Sequence, residues 1–316
     1  MANVLRGRRV SPERVEEVAH HYELFGGVSP ITAITQRQAD GVKSRLAEAG
    51  HPLPVYVGMR NWHPLLPDTM REMHAAGCRR AIGFITAAQH SYSSCQQYRE
   101  NVAAARAELQ REGADVAVTF VGSWFDHPLF VAANAAHVRD AIARLPEPAR
   151  ARARLVFTAH SIPVTMAARS RYENQLRESA RLVAAAVGVG DWALVYQSRS
   201  GRPEDPWLEP DIGDYLRHAR AAGLGAAVMC PIGFVCDHIE VLYDLDREAA
   251  EVCREIGLPM ARAEAVNDDP LFLDMMADVV MATIRRYAKG RPLPITGTRD
   301  SGSGTRDPGL GLSRKP

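Results

Sequence analysis

Cysteine is scarce and poorly placed for a framework. The chain of 316 residues holds five, at positions 78, 95, 230, 236 and 253, and none forms a Cys-x-x-Cys pair. Structural zinc and a disulfide scaffold are therefore not expected. An excess of either charge is also lacking. Against 38 Lys and Arg stand 37 Asp and Glu, a formal net charge of +1, so nothing points to a nucleic acid or an acidic lipid surface as partner. No stretch approaches the roughly 20 consecutive apolar residues needed to cross a bilayer. The first residues, Met-Ala-Asn-Val-Leu-Arg-Gly-Arg-Arg, contain no apolar core of signal-peptide length, and a cytoplasmic protein is expected. The length allows one large domain or two medium ones, each with its own core.

What is present is an alternation of two patterns. Short runs rich in β-branched residues (55–59, 81–86, 116–121, 155–158, 193–196 and 226–230) are apolar nearly throughout, as strands covered on both faces should be. Between them lie longer amphipathic stretches, at about 12–24, 31–49, 64–77, 95–112, 128–143, 171–188, 209–222, 237–256 and 268–288, read as helices. This alternation predicts an α/β fold built on parallel sheets with right-handed crossovers. The charged, proline-bearing segment 144–154 is the best candidate for a connection. It suggests an N-terminal α/β lobe over 1–145 and a C-terminal one over 146–288. The remainder, 289–316, has almost no core formers and reads as a disordered tail.

One segment is chemically unusual. In Pro231-Ile-Gly-Phe-Val-Cys-Asp-His-Ile-Glu240-Val-Leu-Tyr-Asp244-Leu-Asp246-Arg-Glu248, three carboxylates recur every four residues. On a helix they share one face and repel, at about 0.2–0.5 kcal/mol per pair. A solvated acidic face is the bland explanation, and a cation partner the functional one. Context favours the second. Ligands of open parallel sheets bind beyond the carboxyl ends of strands. Leu155–Thr158 runs directly into Ala-His160-Ser-Ile-Pro163, where Pro163 stops regular structure. Two strand ends thus direct an imidazole and an acidic ladder toward one crevice. Both groups suit divalent iron, and either can take up a proton. Trp207, in the turn-rich segment 196–211, reads as a packing anchor for that loop.

Five motifs in order, Tyr22-Glu-Leu-Phe-Gly-Gly-Val-Ser29-Pro30, Thr158-Ala-His160-Ser-Ile-Pro, Tyr196-Gln-Ser, Asp205-Pro-Trp-Leu and Gly233-Phe-Val-Cys-Asp-His-Ile-Glu240-Val-Leu-Tyr-Asp-Leu-Asp, resemble the ferrochelatases, lyases that insert iron into a porphyrin in haem biosynthesis. The resemblance covers roughly residues 5 to 287 and is nearest to the bacterial form that metallates coproporphyrin III. It implies two similar Rossmann-like lobes with a porphyrin cleft between them. It also implies that His160 and Glu240 face each other across the macrocycle as catalytic and metal-binding residues. Asp244 and Glu248 would continue the acidic ridge, and His21, Tyr22, Ser29 and Tyr98 would hold the porphyrin. The substrates implied are Fe2+ and coproporphyrin III or protoporphyrin IX, with haem-pathway enzymes as partners and no tightly bound cofactor. Some relatives carry an iron–sulfur cluster; the cysteine spacing here gives no sign of one.

The sequence departs from the family's pattern in three places. A propionate-binding arginine of the family falls at Leu5, with Arg6 and Arg8 nearby, and His21 stands where the family often has arginine. The family also opens with a strand that has no counterpart here. A parallel sheet without a central strand loses backbone pairing and core together, so the start site is expected further upstream. Rival expectations are a porphyrin or haem carrier without catalysis, a cobalt chelatase of the same fold, which usually pairs histidines where this chain has Glu240, and a periplasmic two-lobed metal binder, which would need a signal peptide.

Overall fold

The computed structural model describes residues 12–200 and 204–288. Leu5, Arg6, Arg8 and the expected tail 289–316 lie outside the described residues. The α/β class is as expected. Helices α1 (Pro12–Glu23), α2 (Ile31–Glu48) and α3 (Leu66–Ala75) precede a two-stranded parallel sheet of β1 (Arg80–Gly83) and β2 (Ala117–Phe120), with α4 (Gln97–Arg111) between the strands. Helices α5 (Pro128–Arg144) and α6 (Glu147–Arg150) lead to a second sheet. It comprises β3 (Ala153–His160), β4 (Trp192–Gln197), β5 (Ala226–Cys230) and β6 (Met260–Arg262). All its pairings are parallel, in the order β4-β3-β5-β6. The crossovers carry α7 (Val164–Ala167), α8 (Tyr172–Val187), α9 (Ile212–Ala221), α10 (Ile239–Tyr243) and α11 (Ala250–Glu255); α12 (Pro270–Ala288) closes the described chain.

Local sequence accounts for several boundaries. Helix α9 starts where the Asp211 carboxylate accepts the Gly213 N–H at 2.8 Å, an N-cap. Helix α8 stops at Gly188, whose φ of 83° is the left-handed conformation that a C-cap needs and glycine supplies without strain. Strands β3 and β5 are buried on both faces, and Val156, Phe157 and Ala159 are fully enclosed. That explains their uninterrupted apolar runs.

Three expectations need correction. Residues 55–59 join no ladder, making only the Met59–Leu65 bridge. They are half-buried, and partial burial does not provide a neighbouring strand. Strand β6 was missed because three residues ending in Arg262 carry too little hydrophobic pattern. Segment 144–154 carries the short α6 and the first residues of β3. The helix expected over 237–256 is composite: α10, then a π-helical turn at Asp244–Ala249, then α11.

The main hydrophobic cluster joins Val42 and Leu46 of α2, Phe130 and Val138 of α5, Leu155 and Phe157 of β3, and Phe272 and Met276 of α12. Trp124 packs edge-on to Phe130 at 5.4 Å, and Phe272 completes the group at 5.9 Å from Trp124. Burying such rings dominates a core's stability, and truncating one typically costs about 3–5 kcal/mol.

Candidate active site

In the second sheet the chain leaves β3 toward β4 on one side and returns as β5 on the other. The carboxyl ends of β3 and β5 therefore flank a topological switch point, where open α/β sheets leave a crevice. His160 is the last residue of β3, level with Gln197 at the end of β4. After β5, the turn Pro231–Gly233 folds back onto β3, and the Gly233 N–H donates to the Thr158 carbonyl at 3.1 Å. A Cβ at Gly233 would lie 2.8 Å from the Ala159 Cα, so the approach admits only glycine. This wedge brings the start of α10, and Glu240 with it, over the end of β3.

The His160 Nε2 lies 3.8 Å from a Glu240 carboxylate oxygen. That is beyond hydrogen-bond length, so both groups keep their lone pairs for a third party. The His160 Nδ1 bonds the Ser161 carbonyl, an acceptor only, so Nδ1 carries the proton and Nε2 is left basic. The main chain here is fixed on both sides. The Tyr172 hydroxyl donates to the His160 carbonyl at 3.0 Å, and the Ser161 hydroxyl donates to the Leu208 carbonyl at 2.8 Å. The strap around Trp207 bridges Pro163, with Leu208 N–H donating to the Ile162 carbonyl and Val164 N–H to that of Pro206.

Sequence reasoning did not single out His238, although it stands two residues before Glu240. It caps α10, its Nδ1 accepting the Glu240 N–H at 3.2 Å. Burial lowers its pKa, a shift that the Glu240 charge opposes and His160 reinforces. His238 therefore stays neutral beside the pair.

The acidic ridge depends on the π turn. In an unbroken α-helix, positions four apart drift by about 40°, so Glu248 would sit about 80° round from Glu240. A π turn winds more slowly, at about 4.4 residues per turn, and reverses the second drift. Glu248 thus returns to the face of Glu240, with Asp244 between them. The Asp244 carboxylate accepts from Gln197 Nε2 at 3.2 Å and from the Ser198 hydroxyl. Ser198 is held at φ 60°, a strained conformation of the kind that concentrates at functional sites. Burial pushes the Asp244 carboxyl up to about 7. The Glu240 and Glu248 charges add to this, and the two hydrogen bonds oppose it.

Of the residues expected to hold a porphyrin, His21 and Tyr22 lie beside α10. His21, at the end of α1, stacks on Tyr243 of α10 with ring centroids 3.5 Å apart. Burial raises the Tyr22 hydroxyl pKa, as does the nearby Glu240. The Ser29 hydroxyl accepts the Ile31 N–H at the start of α2. Tyr98 opens α4 beneath the Arg60 guanidinium, 4.7 Å from its ring centroid. Among the described residues no three His, Cys, Asp or Glu side chains converge on one point as a metal-holding group. His160 and Glu240 offer two ligands, fewer than the three or four of a resident metal centre.

A family model described as ferrochelatase matches residues 2–284. The chain belongs to the ferrochelatase family. Among relatives in this family, the coproporphyrin III ferrochelatase of Mycolicibacterium smegmatis is 45% identical over 311 residues, spanning 96% of this chain and 91% of that one. The ferrochelatase of Rhodopirellula baltica is 50% identical over 281 residues, spanning 89% and 79% respectively. Among solved structures, SirB from Bacillus subtilis with Fe3+ superposes with a TM-score of 0.59 at 11% identity, covering 81% of this chain and 91% of that one, a likeness of fold. No described helix is long and apolar enough to cross a bilayer.

Proposed function

We propose that the chain inserts Fe2+ into coproporphyrin III, with His160 and Glu240 as the acting pair. The observation that carries this reading is the His160–Glu240 gap at the switch point, with the basic Nε2 facing a carboxylate. Metal insertion exchanges two pyrrole N–H protons for one divalent ion. It therefore needs a base within reach, a loosely held cation, and a path for both kinds of ion. His160 Nε2 and the Glu240 carboxylate meet the first two needs from opposite directions. Two ligands hold the ion weakly enough to release it to four pyrrole nitrogens. Asp244, poised near neutrality, takes up and hands on the protons displaced, with Glu248 at the exposed end of the ridge. In this reading His21, Tyr22, Ser29 and Tyr98 would hold the macrocycle and its carboxylates, a role that the contacts of His21 with Tyr243 and of Tyr22 with Glu240 support.

Anaerobic Fe2+ insertion into coproporphyrin III and protoporphyrin IX, followed by absorbance, tests the reading. Faster turnover of coproporphyrin III is expected. His160→Ala and Glu240→Gln should each reduce insertion by about 100-fold or more while the protein stays folded. Near-normal turnover in either variant removes that residue from the mechanism. Tight porphyrin binding with no insertion by the unaltered chain would make it a carrier.

A further inference from the structure

The acidic ridge is held by a residue outside every motif of the site. Arg262 ends the short strand β6, in register with Met229 of β5, and its side chain is 11% exposed. Its guanidinium makes a two-pronged bond to Asp246, Nε to Oδ1 at 2.6 Å and Nη2 to Oδ2 at 2.8 Å. Its Nη1 reaches Asp237 Oδ1 at 2.7 Å. Asp237 lies three residues before Glu240, and Asp246 two residues after Asp244. One planar cation therefore grips the chain on both sides of Glu240 and Asp244.

The bracket is reinforced from behind. Asp237 also accepts the Ala265 N–H at 3.2 Å and the Asn267 side-chain amide at 2.8 Å, and its own N–H donates to Asn267 Oδ1 at 2.8 Å. Asn267 adopts φ 43°, and Gln38 of α2 donates to both its carbonyl and that of Val235. The loop into α10 is thus pinned at Asp237 while the π turn is pinned at Asp246. On the opposite flank, Gln197 and Ser198 grip Asp244. A wide turn held from both sides keeps its spacing; released on one side, it can relax toward ordinary helix and swing Glu248 off the ridge.

We propose that Arg262 is a positioning residue for metal entry, fixing the spacing of Glu240, Asp244 and Glu248 through its joint hold on Asp237 and Asp246. It touches neither metal nor porphyrin. The proposal rests on the metal-insertion reading above. The fork geometry matters, because a lysine keeps the charge but cannot span both carboxylates with two parallel bonds.

The test compares Arg262→Lys and Arg262→Met with the unaltered chain. Arg106→Met serves as control, breaking the Arg106–Asp115 pair beside the other sheet. Arg262→Lys should raise the KM for Fe2+ about tenfold, with Arg262→Met worse and porphyrin affinity by fluorescence quenching unmoved, an effect typical of residues that orient metal ligands. Arg106→Met should lower Tm and leave the KM for Fe2+ where it was. Should Arg262→Met fail to fold, Arg262→Lys decides alone; an unchanged KM in it overturns the proposal while metal insertion stands. Zn2+ titration of the porphyrin-free chains gives a readout independent of turnover. If the unaltered chain inserts no iron but Arg262→Lys still binds Zn2+ about tenfold more weakly, the activity reading falls and the positioning role survives. Equal Zn2+ affinities, or no Zn2+ binding by the unaltered chain, overturn the positioning role as well.

Discussion

Replacing Asp244 by asparagine should make the metal-free protein more stable and less active, and the gain in stability should depend on pH. The Asp244 carboxyl is pushed up from its ordinary 3.8 to about 7, chiefly by burial. In the unfolded chain it loses its proton first. Between about pH 4 and about pH 7 the folded state therefore binds more protons, and stability falls as pH rises. Above that window the full cost is present. At 1.36 kcal/mol per pH unit the difference of about three units sets a ceiling near 4 kcal/mol, and partial solvent screening brings the expected effect to about 2–4 kcal/mol. Asparagine keeps an acceptor oxygen for Gln197 and Ser198 but never ionises. Urea unfolding with chelator present, followed by tryptophan fluorescence from about pH 5 to about pH 8, measures the difference. Asp244→Asn should exceed the unaltered chain by a little over a third of the full amount at about pH 5, where the unfolded carboxyl is already mostly ionised, and by the full amount at the alkaline end. A constant offset across the range would refute the reasoning, because it would mean that Asp244 titrates as an ordinary carboxylate. Lower iron insertion in the same variant would show that charge at this position is kept at the expense of stability.

Two further substitutions probe the framework around His160. Gly233→Ala drives a methyl group against the Ala159 backbone and should cost about 1–3 kcal/mol, read as a lower Tm; an unshifted melting curve would show that the turn is not wedged against β3. Tyr172→Phe removes the hydroxyl that holds the His160 carbonyl and should cost about 1 kcal/mol in urea denaturation, with a loss of turnover well short of His160→Ala. Equal stability would mean that this bond contributes nothing net.

Much of the site was legible because its chemistry is concentrated at strand ends. His160 and Glu240 could be placed from a strand running into Pro163 and another running into the turn at Gly233. The rest depended on information that pattern does not carry. Four-residue spacing identifies the carboxylates but cannot distinguish an α turn from a π turn, and here the π turn is what aligns Glu248 with Glu240. Residues 55–59 are as apolar as a strand, yet a ladder needs a neighbour whose backbone is free, which composition cannot report. His238 was overlooked because a histidine beside a glutamate reads as part of a motif and not as the cap that it is. Arg262 escaped notice for a different reason: its partners lie 16 and 25 residues away in sequence, and only the fold makes them adjacent.

The position of α12 bears on how the chain is made. This last described helix packs against α2 and α5, elements synthesised far earlier. Leu273 fits the hollow over Gly41, where even a methyl group would collide, and Arg37 and Arg45 pair with Asp268 and Asp274. As the polypeptide emerges from the ribosome, the apolar flanks of α2 and α5 stay wet until residue 288 has been delivered. The early half must wait in an unfinished state, exposed to chaperones and proteases, and a chain cut short anywhere before Pro270 would leave that seam open for good.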